Sequence, residues 1–197
     1  MPEGLETLQL PSIDLLNTYN LRENRILYLD EDVDYNCMEL ARQIQTWNLE
    51  DKGKAVEDRV PIKLFIFTDG GDMNFAYQLI SVIEMSTTPV WTVNAGLACS
   101  AGLLILLSGQ KRFCYKRSLA LIHSGSSMIG GTFEQTEANM KMYKNMVEIM
   151  QQYILERTTI DANTFKRRKS IEWYLFDQDQ VNNGIVDKII TSMDEIL

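Results

Sequence analysis

Three short stretches hold the residue types that an acyl-transfer site needs. Gly96-Leu97-Ala98-Cys99-Ser100-Ala101-Gly102 sets a serine among small neighbours, between a run that reads as a strand and an apolar run that reads as a helix. A serine at a helix start faces backbone N–H groups without partners and the positive end of the helix dipole. Small flanking residues keep its Oγ open to an approaching carbonyl, although Ala98 stands where a strict G-x-S-x-G turn has glycine. His123 is the only histidine of the chain, so any imidazole chemistry near neutral pH must come from it. Gly70-Gly71 closes a buried run and lets backbone approach a substrate closely. Taken singly, each stretch has a simpler structural account: an N-cap serine, a strand-end histidine, a turn leading into a helix. All three, however, are predicted at the carboxyl ends of strands, where sites gather in open parallel sheets.

The elements that must position them follow from apolar spacing. Arg25 to Leu29 reads as a first strand. Asp34 is placed to cap a helix whose face is Cys37, Leu40, Ala41, Ile44 and Trp47, the i, i+3, i+4, i+7 pattern. The charged segment 50–59 reads as a solvated loop. Residues 62–67 (IKLFIF) form a compact buried strand ending in Thr68-Asp69-Gly70-Gly71-Asp72. A helix carrying Phe75, Leu79, Val82 and Ile83 follows, and Thr87-Thr88-Pro89 stops it. Strands are predicted over 90–93, 112–115 and 119–122, with an apolar helix through Leu107 between the first two. Thr132 and Gln135 have the form of a capping box for a long helix to about residue 157. A short helix over 177–183 stops at Gly184, and 185–190 reads as a last strand. Residues 1–24 show no sustained period. Alternating strands and helices, with strands that are apolar throughout, predict an α/β fold with a substantially parallel sheet.

Composition excludes several classes. The 197 residues suggest one domain with a sizeable core. A net charge of −8 argues against binding nucleic acid or an anionic membrane, since phosphate surfaces reward excess lysine and arginine. The run Lys166-Arg167-Arg168-Lys169 reads as a solvated face. Cys37, Cys99 and Cys114 are odd in number and fit neither a zinc site nor a redox pair, which points to free thiols in a reducing compartment. With no apolar leader and no long apolar span, a cytoplasmic protein is expected. No metal-ligand cluster and no G-x-x-x-x-G-K-[ST] loop occurs, so no cofactor is expected on this chain.

In their order, the motifs IFTDGGDMNFAYQLI, GLACSAGLLILLSGQKRF, LALIHSGSSMIGG and VNNGIVDKI resemble the Clp protease proteolytic subunit (ClpP) family. The likeness covers roughly 25–190, and the interval of 29 residues from Gly71 to Ser100 keeps the family register. The resemblance implies a ClpP/crotonase-like fold: a repeated β-β-α superhelix with a protruding handle helix over about 132–157. It implies one peptidase domain over 25–197, preceded by an axial-loop-like segment over 1–24. Ser100 would be the nucleophile and His123 its base. Gly71 and Ala101 N–H groups would form the oxyanion hole. Gly70, Asp72, Met73, Ser126, Met128 and Ile129 would hold extended peptide. The implied activity is hydrolysis of unfolded polypeptides inside a chamber of two stacked heptameric rings, fed by a Clp-type AAA+ ATPase unfoldase that binds the ATP.

Departures from the family pattern matter as much. Its third triad member is an aspartate; counting back fifteen residues from Asp187 reaches Glu172 instead. Asp177 and Asp179 are weaker stand-ins. A misoriented imidazole costs about 10⁴ in turnover, so a weakly active or silent structural subunit of a mixed ring is the alternative reading. An acyl-CoA-handling enzyme of the crotonase-like fold is a third, against which the serine motif argues. Asp69 replaces the usual proline before the glycine pair, a change expected to alter substrate preference or His123 basicity. Ser124-Gly125 replaces the usual Gln-Pro after the histidine. Segment 50–59 is longer than usual, and residues 1–24 match the family poorly.

Overall fold

The computed structural model describes residues 12–168 and 171–197. Its centre is β2 (Ile62–Thr68), buried at every position but Phe67. Such a strand needs cover on both faces and parallel neighbours on both edges. β1 (Ile26–Leu29) and β3 (Val90–Cys99) supply the edges, and β4 (Lys111–Tyr115) and β7 (Lys188–Ile190) extend the sheet in the order β1-β2-β3-β4-β7, all parallel.

β3 is the pivot. Through Asn94 it pairs with β4; from Leu97 to Cys99 it pairs instead with β5 (Leu119–Ile122). The ladder to β2 shifts register at Ile66/Phe67, opposite the same break. Buried Asn94 bridges the change. Its Nδ2 donates to Leu119 O and Gln180 Oε1, each at 3.0 Å, and its Oδ1 accepts Gly96 N–H at 3.1 Å. These bonds stand in for ladder bonds that a buried backbone must otherwise lose. The sequence predicts strand only to Val93; the small residues beyond hide the continuation that carries β3 to the serine. β5 in turn pairs antiparallel with β6 (Trp173–Phe176).

Helices cover the faces as their apolar spacing requires. α2 (Asn36–Glu50) buries Cys37, Ala41, Ile44 and Trp47, and α3 (Met73–Met85) buries Leu79, Val82 and Ile83 among others. α4 (Ala101–Ser108) is buried at all eight positions, which explains its lack of a polar face. α5 (Phe133–Arg157) starts with the Thr132/Gln135 capping box in place, yet only Met150 and Ile154 are buried. Its first half, with Phe133, Met140 and Met142 exposed, stands away from the core.

Some elements differ from the sequence reading. α1 (Ile13–Glu23) is a helix with no buried residue, so it left no apolar period to read; residues 1–11 lie outside the described residues. α6 (Ala162–Arg168) and β6 were not expected, and the last strand is shorter than 185–190. α7 (Asp177–Asn182) matches its expected place. Segment 50–59 is not merely solvated. Asp51 within it is fully buried, pairing with Arg25 and with Lys54 and accepting the Thr88 hydroxyl.

Candidate active site

Ser100 sits where β3 turns into α4, with φ +54° and ψ −121°. That conformation is rare outside glycine and costs on the order of 1–3 kcal/mol, so the surroundings must hold it. They do so from both sides. Ser100 N–H donates to Leu121 O of β5 at 3.1 Å, and its carbonyl accepts the N–H groups of Leu103 and Leu104. Its side chain caps nothing. The N-cap role that the sequence also allowed is therefore not the one it performs.

The glycine pair at the end of β2 is pressed against this turn. Gly70 has φ +107°, and a Cβ there would lie 2.8 Å from both Cys99 O and Ser100 Cβ and 3.2 Å from Ala101 N. Val33 clamps the pair: its N–H donates to Gly70 O at 2.8 Å, and its carbonyl accepts Asp72 N–H at 2.7 Å. The N–H groups of Gly71 and Ala101 have no backbone acceptor among the described residues.

His123 follows β5 directly and is half-buried. Its Nε2 is buried and makes no hydrogen bond among the described residues. The imidazole and Ser100 line one cavity but are not bonded to each other. Antiparallel pairing of Ile122 with Trp173 sets Glu172 at the next register position, opposite His123. Its carboxylate accepts the Tyr174 hydroxyl instead of meeting the ring. Asp177 is engaged elsewhere, accepting Arg117 N–H at 2.7 Å and Gln178 N–H at 2.8 Å. Those backbone bonds hold its carboxyl below the ordinary range. Cys99 is buried beside the serine. Burial first, then the charges of Asp69 and Glu172, push its thiol up to about 11, so it is no competing nucleophile at neutral pH.

The cavity holds about 260 Å³ and gathers several of the expected residues: Gly71, Met73, Ser100, His123 and Ser126. Others stand apart from it. Asp72 caps α3 by accepting Asn74 N–H at 2.7 Å. Met128 is 99% exposed, and neither it nor Ile129 or Glu172 lines the cavity. The apolar wall was missed. Tyr143, Met146, Val147 and Met150 of α5 close one side; their i, i+3, i+4 and i+7 spacing was the signal that could have revealed it.

A family model for Clp protease matches residues 13–193. The chain belongs to the Clp protease family. Among curated relatives it is 26% identical over 179 residues to the "ATP-dependent Clp protease proteolytic subunit 2" of Bifidobacterium longum, covering 89% of this chain and 84% of that one. It is 29% identical over 138 residues to the subunit 2 of Treponema denticola, 69% of each chain, and 25% identical over 183 residues to a proteolytic subunit of Cyanophora paradoxa, 90% of each. The protein is thus a ClpP-type peptidase family member with that family's α/β fold. Among the described residues no helix is long and apolar enough to cross a membrane.

Proposed function

We propose that this Clp protease family member hydrolyses unfolded polypeptides by a serine mechanism. Ser100 attacks, His123 moves the proton, Glu172 orients the imidazole, and the N–H groups of Gly71 and Ala101 receive the oxyanion. The observation that carries this reading is the strained Ser100 turn opening on the same cavity as the chain's only imidazole, whose buried Nε2 has no partner among the described residues. A buried polar atom left unpaired costs stability, and a role in reaction is one reason for keeping it.

As Ser100 Oγ bonds to the scissile carbonyl carbon, its proton passes to His123 Nε2. Negative charge grows on the carbonyl oxygen, and each preoriented amide is worth about 10²–10³ in rate. The C–N bond then breaks, with Nε2–H protonating the departing amine. Water repeats the sequence on the acyl-serine, releasing acid and free serine. Glu172 accepts Nδ1–H and so fixes the tautomer and orientation of the ring. For this it must exchange the Tyr174 hydroxyl for the ring, a rotation within reach of adjacent paired strands.

The names of the relatives, proteolytic subunits of an ATP-dependent protease, extend the proposal. The chain would assemble into two stacked heptameric rings in the cytoplasm and receive substrate from a Clp-type AAA+ ATPase. Residue 25 onward would form the peptidase domain, preceded by an axial segment. Ser126, Met128 and Ile129, with Gly70, Asp72 and Met73, would align extended substrate. Ser100→Ala in the assembled protein tests the core of this: loss of unfolded-protein cleavage is expected, and unchanged cleavage refutes it. One observation favours a second reading. Because Glu172 bonds Tyr174 rather than His123, the chain also reads as a weakly active or inactive subunit of a mixed ring; wild-type cleavage no faster than that of Ser100→Ala would decide for it.

A further inference from the structure

We propose that Asp69 makes this site select polypeptide segments with a basic side chain next to the bond that is cut. The inference rests on the serine-peptidase reading above and names a substrate preference within it. Among the described residues Asp69 is the one carboxylate lining the cavity that Ser100 and His123 share. It is exposed at the end of β2, directly before the glycine pair. Among the described residues it forms no ion pair, and no lysine or arginine lines the cavity. Its charge reaches the nucleophile's surroundings, since the Cys99 thiol behind Ser100 senses Asp69 together with Glu172.

The rest of the lining complements a long basic side chain. Met73, Met146, Val147 and Met150 offer an apolar wall for the methylene stem of lysine or arginine, while the cationic head stays at the wet mouth beside Asp69. A glutamate in the same place would meet uncompensated negative charge. The net charge of −8 adds a field of the same sign over longer range. At an exposed pair the selectivity is about two- to five-fold, and salt must weaken it.

The test uses the assembled protein and matched fluorogenic peptides carrying lysine, Nε-acetyl-lysine or glutamate on either side of the scissile bond. The expected kcat/KM ratio of lysine to acetyl-lysine is about two to five at low salt. It should fall toward one at about 1 M salt, where the screening length is about 3 Å. Asp69→Asn should flatten the ratio and Asp69→Glu should keep it. The salt series in the unaltered protein reads the same preference should Asp69→Asn fail to fold. Cleavage of all peptides with a flat ratio, or a ratio that survives Asp69→Asn, overturns the role of Asp69 and leaves the peptidase reading standing. Absence of any Ser100-dependent cleavage overturns both.

Discussion

Replacing Gly70 by alanine would put a methyl carbon 2.8 Å from Cys99 O and 2.8 Å from Ser100 Cβ, on a backbone with φ +107°. Carbon atoms pack at about 3.5–4.0 Å, so the contact with Ser100 Cβ must open by roughly 0.7 Å or more. Neither side yields easily: Val33 holds the glycine pair, and β5 and the buried α4 hold the serine turn. Whatever moves, the nucleophile and the Gly71 and Ala101 amides lose their mutual placement. A displacement of about 1 Å near reacting groups costs about 10²-fold, so Gly70→Ala should lose about 30- to 100-fold in kcat/KM. Strain at positive φ adds about 1–3 kcal/mol of destabilisation, or about 2–12 °C in Tm for a chain of this size. Peptide hydrolysis read beside calorimetry separates the two effects, because the folded fraction at assay temperature stays near complete. Unchanged kcat/KM in a folded Gly70→Ala protein would refute the argument that this close approach builds the site.

Glu172→Gln should reduce kcat/KM by about 10³–10⁴ while leaving Tm within a few degrees, and Glu172→Asp should retain most activity; an unchanged rate in Glu172→Gln would remove Glu172 from the mechanism. Asp51→Asn leaves Arg25 without its buried partner and should cost about 3–5 kcal/mol, seen as a lower denaturation midpoint in urea. Arg25 above all, then Lys54 and Thr88, hold the Asp51 carboxyl well below its ordinary value. Its stabilisation is therefore complete above the unfolded carboxylate pKa of about 4 and is lost as pH falls below it. The gap in Tm between Asp51→Asn and the unaltered protein should narrow on acidification, and a gap that widens would contradict this.

Long apolar runs made much of the fold legible. β2, α2 and α3 could be read because burial on one or both faces writes itself into residue type at a fixed period. α1 could not, because none of its residues is buried. The second half of β3 escaped for a different reason. Asn94 to Cys99 lacks the β-branched residues that mark a strand, and its pairing depends on β5, more than twenty residues away in the chain. β6 is an edge strand whose partner β5 lies more than fifty residues back; Trp173, Tyr174 and Phe176 are strand formers, but four residues are too few to set a period. At the site, Ser100, His123 and the glycine pair were legible as residues at predicted strand ends. The direction of the Glu172 carboxylate was not, because it turns on the hydroxyl of Tyr174 two positions on, in β6. The α5 wall needed knowledge of which helix face meets the cavity, which periodicity supplies only once the packing partner is known.

The most direct measurement of the central claim is covalent trapping by a fluorophosphonate, with the modified residue located by mass spectrometry. The account predicts a single adduct on Ser100, lost in Ser100→Ala and slowed at least about 10³-fold in His123→Ala. An adduct on another serine, or labelling of Ser100 at an unchanged rate without His123, would contradict it.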